Sequence, residues 1–496
     1  MIAARALRGR WADSARLMAA ARAAEGTDGA ERAACFMATP ANVEEARELG
    51  LWDAALDGAG PNDSVIVVEG PDPEDALEVA VRAIGSVSGG AGPKSGLAAA
   101  EARRPRSLLA VEADVAVISV PGEYAAVEAH KALGAGMDVM LFSDGVSLED
   151  EIALKRRARS LGRLLMGPGC GTAILGGVGL GFANVVAEGP VGVVAAAGTG
   201  AQEVTVLVDR AGSGISRCYG TGGRDLHESV GAITAIDAIA RLRDDPATEV
   251  ILCVSKPPSP AVARHVLEFL AGCGKPAAAC FVGGGVEPMQ GIEVVATMEE
   301  AALAAARLAG VERPSADGAA GRPRAEWSSG GVVRGLFSGG TLCSEAAAIL
   351  AGRLPTVYSN APAGLARKLP AGEAPVGHAC LDLGEEEFTR GRPHPMIDPA
   401  PRAERLEQEA ADPAVGVLLL DVVLGYAGHA DPAGALAPAI RAALADRPRL
   451  VVVAYVLGTE ADPQVLSRQE ATLRDLGVRL ASTNAAAARL AADVAG

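Results

Sequence analysis

Two stretches decide the fold: V-G-V-V-A-A-A-G-T-G-A-Q-E, residues 191–203, and V-V-R-G-L-F-S-G-G-T-L-C-S-E, residues 332–345. Each is an apolar run of strand length, then small residues, then a helix start. Working outward from both, D-P-A-T-E-V-I-L-C-V from Asp245 matches D-P-A-V-G-V-L-L-L-D from Asp412. Further on, G-K-P-A-A-A-C-F-V-G from Gly274 parallels D-R-P-R-L-V-V-V-A-Y-V-L-G from Asp446. Three matches in one order indicate two copies of a flavodoxin-like α/β unit, the second enlarged by an insertion near 367–409. The first third lacks these marks and reads as a separate unit.

Short Val/Ile-rich segments alternate with Ala-rich stretches along the whole chain, which is the pattern of parallel strands joined by crossover helices. Buried strands are expected at Ser64–Val68, Asp114–Val120, Asp138–Phe142, Val191–Ala195, Glu249–Val254, Ala277–Val282, Val332–Phe337, Val415–Leu424 and Leu450–Tyr455. Boundaries are expected at Ala183–Pro190 and, without periodicity, at Gly310–Gly330. Gly85–Arg106, rich in Ser, Gly, Pro and Arg, reads as a loop.

The chain has 496 residues, room for about three domains. With 49% hydrophobic and 21% charged residues it has the composition of a packed protein and not of a disordered one. Aromatics are only 3%, so the cores must be built from Ala, Val, Leu and Ile. A net charge of −16 argues against sequence-independent nucleic-acid binding, which needs a cationic face, but leaves room for a small anion at a local positive spot. The longest apolar runs, 415–424 and 450–457, fall far short of the roughly 18 residues of a bilayer helix. Arg5, Arg8 and Arg10 are followed by no apolar core of a signal peptide. Eight cysteines include no C-x-x-C, so the expectation is free thiols in a reducing cytoplasm and no metal site.

Several segments carry candidate chemistry. Gly198, Thr199 and Gly200 join a strand to a helix, and Thr199 and Gln202 have the spacing of a capping box. Ser338, Gly339, Gly340 and Thr341 repeat the turn in the second copy. A single turn of this kind is ordinarily only a cap; two at equivalent positions would let two helix N-termini face one anion. G-T-G-G-R-D-L-H-E from Gly220 reads equally as an anion loop around Gly222, Gly223 and Arg224 or as a tight turn with a surface ion pair. His429 follows a strand end, where α/β sheets place ligands. His394 lies among Arg390, Arg392 and Arg402 in an otherwise acidic chain. Either histidine suits a general acid, a phosphate partner or a loop hydrogen-bonder. His130, His265 and His378 read as surface or structural. G-G-A-G-P-K-S from Gly89 resembles a P-loop but has Pro93 before Lys94 and no strand ahead of it.

From about Val115 to Pro258 the chain resembles the α-subunit of succinyl-CoA synthetase: V-I-S-V-P, then G-P-G-C-G-T from Gly167, A-A-A-G-T-G-A-Q-E, G-T-G-G-R-D and D-D-P-A-T-E-V. The second copy resembles the carboxyl-terminal domain of that enzyme's β-subunit. Adding A-T-P-A-N from Ala38, F-A-N-V-V from Phe182, S-K-P-P from Ser255, F-S-G-G-T-L-C from Phe337, G-R-P-H-P-M-I-D-P from Gly391 and L-D-V-V-L-G-Y from Leu420, nearly the whole chain is similar to the FdrA family. The resemblance implies a Rossmann-like, CoA-binding-type domain over 1–188, succinyl-CoA synthetase-like domains over 189–310 and 331–496, and a linker at 311–330.

In succinyl-CoA synthetases two helices, one from each such domain, point their N-termini at the phosphoryl group; by resemblance these are the helices beginning at Gly198–Gly200 and Gly339–Thr341. The synthetases' phosphohistidine segment corresponds to Gly283–Ala296, which holds no histidine, and their acid after the preceding strand is replaced around Ser255 and Lys256. No ATP-grasp domain and no glycine-rich CoA loop before Ala38 are visible. The FdrA resemblance implies one subunit of an oxamate carbamoyltransferase in allantoin breakdown, interconverting oxalurate plus phosphate with oxamate plus carbamoyl phosphate. Arg392 and His394, or His429, would then polarise the carbonyl or hold the oxamate carboxylate. The alternatives are a CoA-dependent acyl transferase or ligase subunit, with coenzyme A as its candidate cofactor, and a non-catalytic scaffold. Companion protein subunits and small anions are the expected partners.

Overall fold

A computed structural model of the chain describes residues 1–10, 12, 14–48, 50–85, 108–312, 330–370, 372–389 and 393–496. Two compact units are present, residues 1–103 and 104–496. The first is built as β1 (Ile2–Leu7), α1 (Ser14–Glu25), β2 (Arg32–Met37), α2 (Pro40–Glu48), β3 (Ser64–Glu69) and α3 (Glu74–Gly85). Its sheet has the order β1-β3-β2, with β3 antiparallel to both neighbours. The central strand alternates: Ile66 and Val68 pack with Leu17, Ala20 and Leu77 from α1 and α3, while Val65 and Val67 pack with Leu51 and Leu56 on the other face. This corrects the Rossmann-like reading of residues 1–188. The first 103 residues close an antiparallel sheet with cores of their own, and the parallel sheet begins only at Val115.

The second unit opens with β4 (Val115–Ile118), α4 (Gly122–Gly134), β5 (Asp138–Leu141), α5 (Leu148–Ser160) and β6 (Leu165–Met166), a parallel sheet in the order β4-β5-β6. A hairpin of β7 (Thr172–Leu175) and β8 (Val178–Gly181) follows. Next come β9 (Glu188–Ala195), α6 (Gly198–Arg210), β10 (Ile215–Gly220), α7 (Ile233–Asp244), β11 (Val250–Ser255), α8 (Pro260–Gly272), β12 (Ala277–Phe281), β13 (Ile292–Val295) and α9 (Met298–Leu308). The sheet order is β13-β12-β11-β9-β10-β7-β8; β9 to β13 are parallel and the hairpin joins one edge antiparallel.

The second copy comprises β14 (Val332–Phe337), α10 (Gly340–Ala351), β15 (Val357–Ser359), β16 (Arg367–Lys368), β17 (His378–Asp382), α11 (Glu386–Thr389), α12 (Ala400–Ala411), β18 (Val415–Val423), α13 (Pro432–Asp446), β19 (Val451–Leu457), α14 (Leu466–Asp475), β20 (Arg479–Ala481) and α15 (Asn484–Ala495). Its order, β16-β15-β17-β14-β18-β19-β20, contains the same 2-1-3-4-5 parallel core as β10-β9-β11-β12-β13, the flavodoxin-like order. The additional strands β15 and β16 lie at the edge beyond β17; β15 precedes the insertion expected near 367–409, so the enlargement begins earlier in the chain.

Local signals set the helix starts. Pro260 and Pro432 occupy first-turn positions, where a missing N–H costs nothing. Thr297 and Glu300 form a capping box at α9, and Thr483 accepts the Ala486 N–H at α15. One apolar core joins the copies, with Ala201, Val204 and Val208 of α6 in the same cluster as Leu342, Ala346 and Leu350 of α10. No helix among the described residues is long and apolar enough to cross a membrane.

Candidate functional site

α6 and α10 begin at the carboxyl ends of the equivalent central strands β9 and β14 and face one another. The Thr341 N–H donates to Thr199 Oγ1 at 3.3 Å. A Cβ placed on Gly339 would lie 2.8 Å from Thr199 Cγ2 and force a shift, and one on Gly200 would crowd Thr341 Cγ2 at 3.1 Å. Neither helix has a side-chain N-cap: Ala197 precedes α6 and Gly339 precedes α10. The capping box expected of Thr199 and Gln202 is therefore not formed, because the helix starts at Gly198 and puts Thr199 inside the first turn. Gln202 is buried instead, and its Nε2 donates to Asn184 Oδ1 at 3.0 Å and to the Phe182 and Leu424 carbonyls. Two first turns without an N-cap side chain of their own thus meet at one place, where Thr199 Oγ1 takes the Thr341 N–H across the seam.

Around this pair stand polar groups that sequence reasoning passed over. Thr172 is 1% exposed, and its Oγ1, without a partner among the described residues, sits 3.7 Å from a Cβ position on Gly198. Asp382, at the end of β17, is 4% exposed; its Oδ1 accepts the Gly384 N–H at 2.9 Å, and its Oδ2 abuts Gly340 so closely that a Cβ there would collide. Burial, reinforced by Glu385, pushes the Asp382 carboxyl up to about 7, while Lys256 opposes the shift. The ammonium at Lys256 thus acts on the site from the carboxyl end of β11. An acidic residue ending an apolar parallel strand is the signal that marks Asp382.

His394 is held on the same side. Its Nδ1 accepts the Met396 N–H at 3.2 Å, and its ring packs on Phe182 with centroids 5.8 Å apart. Burial pulls its pKa down to about 4, so the imidazole is neutral and, with Nδ1 occupied as acceptor, carries its proton on Nε2. That nitrogen points at Gly384, beside Asp382. His429 is tied to the same segment: its N–H donates to the Met396 carbonyl at 2.8 Å, and its Nδ1 accepts the Asp431 N–H at 3.1 Å. Arg390 and Arg392 lie outside the described residues, as do the P-loop-like run at 89–95 and most of the linker at 311–330.

Other candidates are engaged elsewhere. Arg402 is buried, forms an ion pair with Asp421 at 2.6 Å and donates to the Leu336 carbonyl at 2.7 Å, so it braces β14 and β18 instead of surrounding His394. Asp421 in turn accepts from Ser338 N at 2.9 Å and Gly339 N at 2.9 Å, fixing the turn into α10. Arg224 pairs with Glu151 at 2.9 Å and donates to the Val146 carbonyl at 2.7 Å. Glu151 and Asp225 flank the buried Lys155 at 2.8 and 2.7 Å, which locks α5 to the loop at Gly222 and Gly223. Gly222 has φ +83° and meets the 167–171 turn. Two cavities lie away from the helix pair. One of about 490 Å³ is lined by Arg334, Arg405 and Glu409, and one of about 850 Å³ by Asp138, Arg163, Arg217 and Arg241. In them Arg334 pairs with Glu409, Arg217 with Asp245 and Arg241 with Asp138.

A protein of Escherichia coli (strain K12) named "Uncharacterized protein YahF" is 40% identical over 492 residues, covering 95% of this chain and 94% of that one. The chain belongs to the same family as YahF. Residues 336–494 of this YahF relative match the family model described as CoA-ligase, and residues 1–101 match "AllF, heavy metal-associated domain". The α-subunit of the ADP-forming succinate–CoA ligase of Methanothermobacter thermautotrophicus is 26% identical over 220 residues, 42% of this chain and 73% of that one. A solved dinucleotide-forming acetyl-coenzyme A synthetase from Ca. Korarchaeum cryptofilum aligns over 79% of this chain and 84% of its own with 16% identity and a TM-score of 0.34. A heavy metal does not fit the first unit. Residues 1–101 contain one cysteine, Cys35, and no histidine, and the Cys35 thiol is pushed up to about 12 by burial and by Glu25.

Proposed function

We propose that this YahF-family chain is the phosphate-binding subunit of a complex that moves a carbamoyl group between phosphate and a small carboxylated amide, interconverting oxalurate plus phosphate with oxamate plus carbamoyl phosphate. One observation carries the reading: two uncapped helix N-termini from the two copies meet at Thr199 and Thr341, with Lys256 and the Nε2–H of His394 on the same side. Helix starts attract anions through unpaired N–H groups and the aligned peptide dipoles. Gly198, Thr199, Gly200, Gly339, Gly340 and Thr341 are the assigned phosphate-binding residues. In the direction of carbamoyl phosphate formation, a phosphate oxygen attacks the carbamoyl carbon of oxalurate, the C–N bond breaks and oxamate leaves with a proton on its nitrogen. Arg392 and His394 or His429 polarise the carbonyl or hold the carboxylate. No phosphorylated side chain is needed, which fits the lack of histidine in Gly283–Ala296.

The match of residues 336–494 to the CoA-ligase model favours a second reading, a subunit of a CoA-dependent acyl ligase with nucleotide activation supplied by a companion. Thermal-shift titration of the full chain with carbamoyl phosphate, inorganic phosphate and coenzyme A separates the readings, since a ligand stabilises the state that binds it. Carbamoyl phosphate and phosphate should raise the melting temperature. A shift with coenzyme A alone would replace the first reading by the second, and no shift with any of the three would leave a scaffold. Incubation with ATP should yield no acid-labile phosphohistidine; its detection would overturn the carbamoyl reading.

A further inference from the structure

The carboxyl of Asp382 stands where an anion site would least be expected to hold one. It ends β17, is almost wholly enclosed, and turns Oδ2 towards Gly340 in the first turn of α10. Its backbone is fixed on both sides, N–H to Asn360 Oδ1 at 2.8 Å and carbonyl to Asn360 Nδ2 at 2.8 Å, and Oδ1 is used by the Gly384 N–H. Oδ2 lies against the Gly340 backbone, where a Cβ of that residue would collide with it, so the second carboxyl oxygen faces the start of α10. At the start of α6 a buried polar atom, Thr172 Oγ1, has no partner among the described residues, and such an atom calls for a ligand.

An ionised Asp382 at this place would repel any oxyanion, whereas a neutral one presents an O–H donor to it. We propose that Asp382 enters the anion site as a neutral carboxyl that donates a hydrogen bond to the bound phosphoryl oxygen, so that the site takes up phosphate together with a proton. This rests on the phosphate reading of the paired helix starts and adds the residue that makes binding proton-dependent. Gly340 is small because the carboxyl occupies the space of its side chain, and Gly384 is small because His394 does the same there. The groups acting on Asp382 are Glu385 and Asp421, which favour the neutral form with burial, and Lys256, which opposes it. Cys343 of α10 and His394 also face it; the first is held as a thiol and the second as neutral imidazole by burial. Above about pH 7 the carboxyl ionises and the anion leaves.

The test is calorimetric binding of inorganic sulfate, whose own charge is constant over the range, to the full chain at pH 6, 7.5 and 9, with inorganic phosphate as the second probe. Affinity of the parent for sulfate should fall at least about tenfold from pH 6 to pH 9, approaching the tenfold per unit of a required proton above its titration point. Asp382→Asn, which keeps an N–H donor and cannot ionise, should bind with less than about threefold change over the same range. A parent-like pH dependence in the folded Asn variant overturns the role of Asp382 and leaves the phosphate site standing. Absence of sulfate and phosphate binding at every pH overturns both. Should the variant fail to fold, the parent decides: binding at pH 8 measured in buffers of different ionisation enthalpy should show uptake of about one proton, and no uptake refutes the proposal.

Discussion

Glu203 of α6 and Glu345 of α10 are both buried at the seam between the two copies, and the charge of Glu345 adds to the proton affinity of Glu203. Burial is the main cause, pushing Glu203 up to about 8 and Glu345 to about 7 from an ordinary 4.5. Replacing Glu203 by Gln therefore has a signed consequence. In the unfolded chain the carboxyl loses its proton near pH 4.5; in the folded chain it keeps it until about 8. The folded state thus binds more protons in between, and stability falls as pH rises. From pH 6 to the folded midpoint is two units, about 2.7 kcal/mol at roughly 1.36 kcal/mol per unit. Glu203→Gln removes that term and keeps the shape. Urea unfolding of parent and variant, followed by circular dichroism at pH 6, 7.5 and 9, should show the parent losing about 2 to 3 kcal/mol more than the variant across the range. Equal pH dependence in the two proteins would mean that Glu203 is ionised in the folded state at neutral pH, and would refute the reasoning.

Gly200→Asp should weaken phosphate binding at least about thirtyfold, since a carboxylate replaces the attraction of a helix start worth up to about 2 kcal/mol, while Cys343→Ser leaves it unchanged; native binding by the folded Asp variant on calorimetry refutes the site. Gly340→Asp is expected to fail as well, but through collision with Asp382, so it tests packing as much as charge. Arg402→Ala strands the buried Asp421 and should cost about 3 to 5 kcal/mol in urea unfolding, with a loss under about 1 kcal/mol arguing against the pair's structural role. His394, held neutral down to about 4 by burial, disfavours the proton that the unfolded chain takes up near 6.5. Stability from this group is therefore complete above about 6.5 and lost as pH falls towards 4, and His394→Gln should flatten that acid limb; an unchanged limb would assign the loss to other groups.

The inner strands β9, β11, β12, β14, β18 and β19 were legible as short apolar runs, and the observed β14 spans the expected Val332–Phe337. β10, I-S-R-C-Y-G, and β17, H-A-C-L-D, mix polar residues into the strand and were not legible, nor were the short outer strands β13, β15, β16 and β20. In the first unit only β3, expected at Ser64–Val68 and observed at Ser64–Glu69, was legible. β1, I-A-A-R-A-L, and β2, R-A-A-C-F-M, are alanine-rich with arginines, and alanine carries little strand preference, so the antiparallel sheet left no clear pattern. At the site, the glycines of both helix starts were visible as small residues repeated in register. The capping box expected of Thr199 and Gln202 is not formed because Thr199 lies inside the helix, which only geometry settles. Arg402 was drawn to His394 by sequence proximity, yet a buried aspartate on a distant strand claims it. Asp382 escaped notice although an acid at a strand end is a readable signal, because β17 itself does not read as a strand; Thr172 offered no signal, since nothing in sequence shows that its hydroxyl goes without a partner.

The two copies also explain why two acids lie buried beneath the paired helix starts. In the aligned segments Thr199 corresponds to Thr341 and Glu203 to Glu345, each pair four residues apart on its helix. Glu345 accepts the Met298 N–H at the start of α9 at 2.6 Å, and Asn484, the first residue of α15, donates from Nδ2 to Glu345 at 2.7 Å and from its backbone N–H to Glu203 at 3.5 Å. Each glutamate thus reaches across to the last helix of the other copy, an exchange that ties the copies together. Because the copies face one another about an approximate two-fold axis, equivalent residues near it meet, and two glutamates there must come close. Two buried like charges would repel strongly; keeping a proton on them removes the conflict. The threonines stand one helical turn, about 5.4 Å, closer to the helix starts. Below about pH 7 burial leaves a proton on both Glu203 and Glu345, and that is what lets the two equivalent acids share the seam beneath the paired threonines.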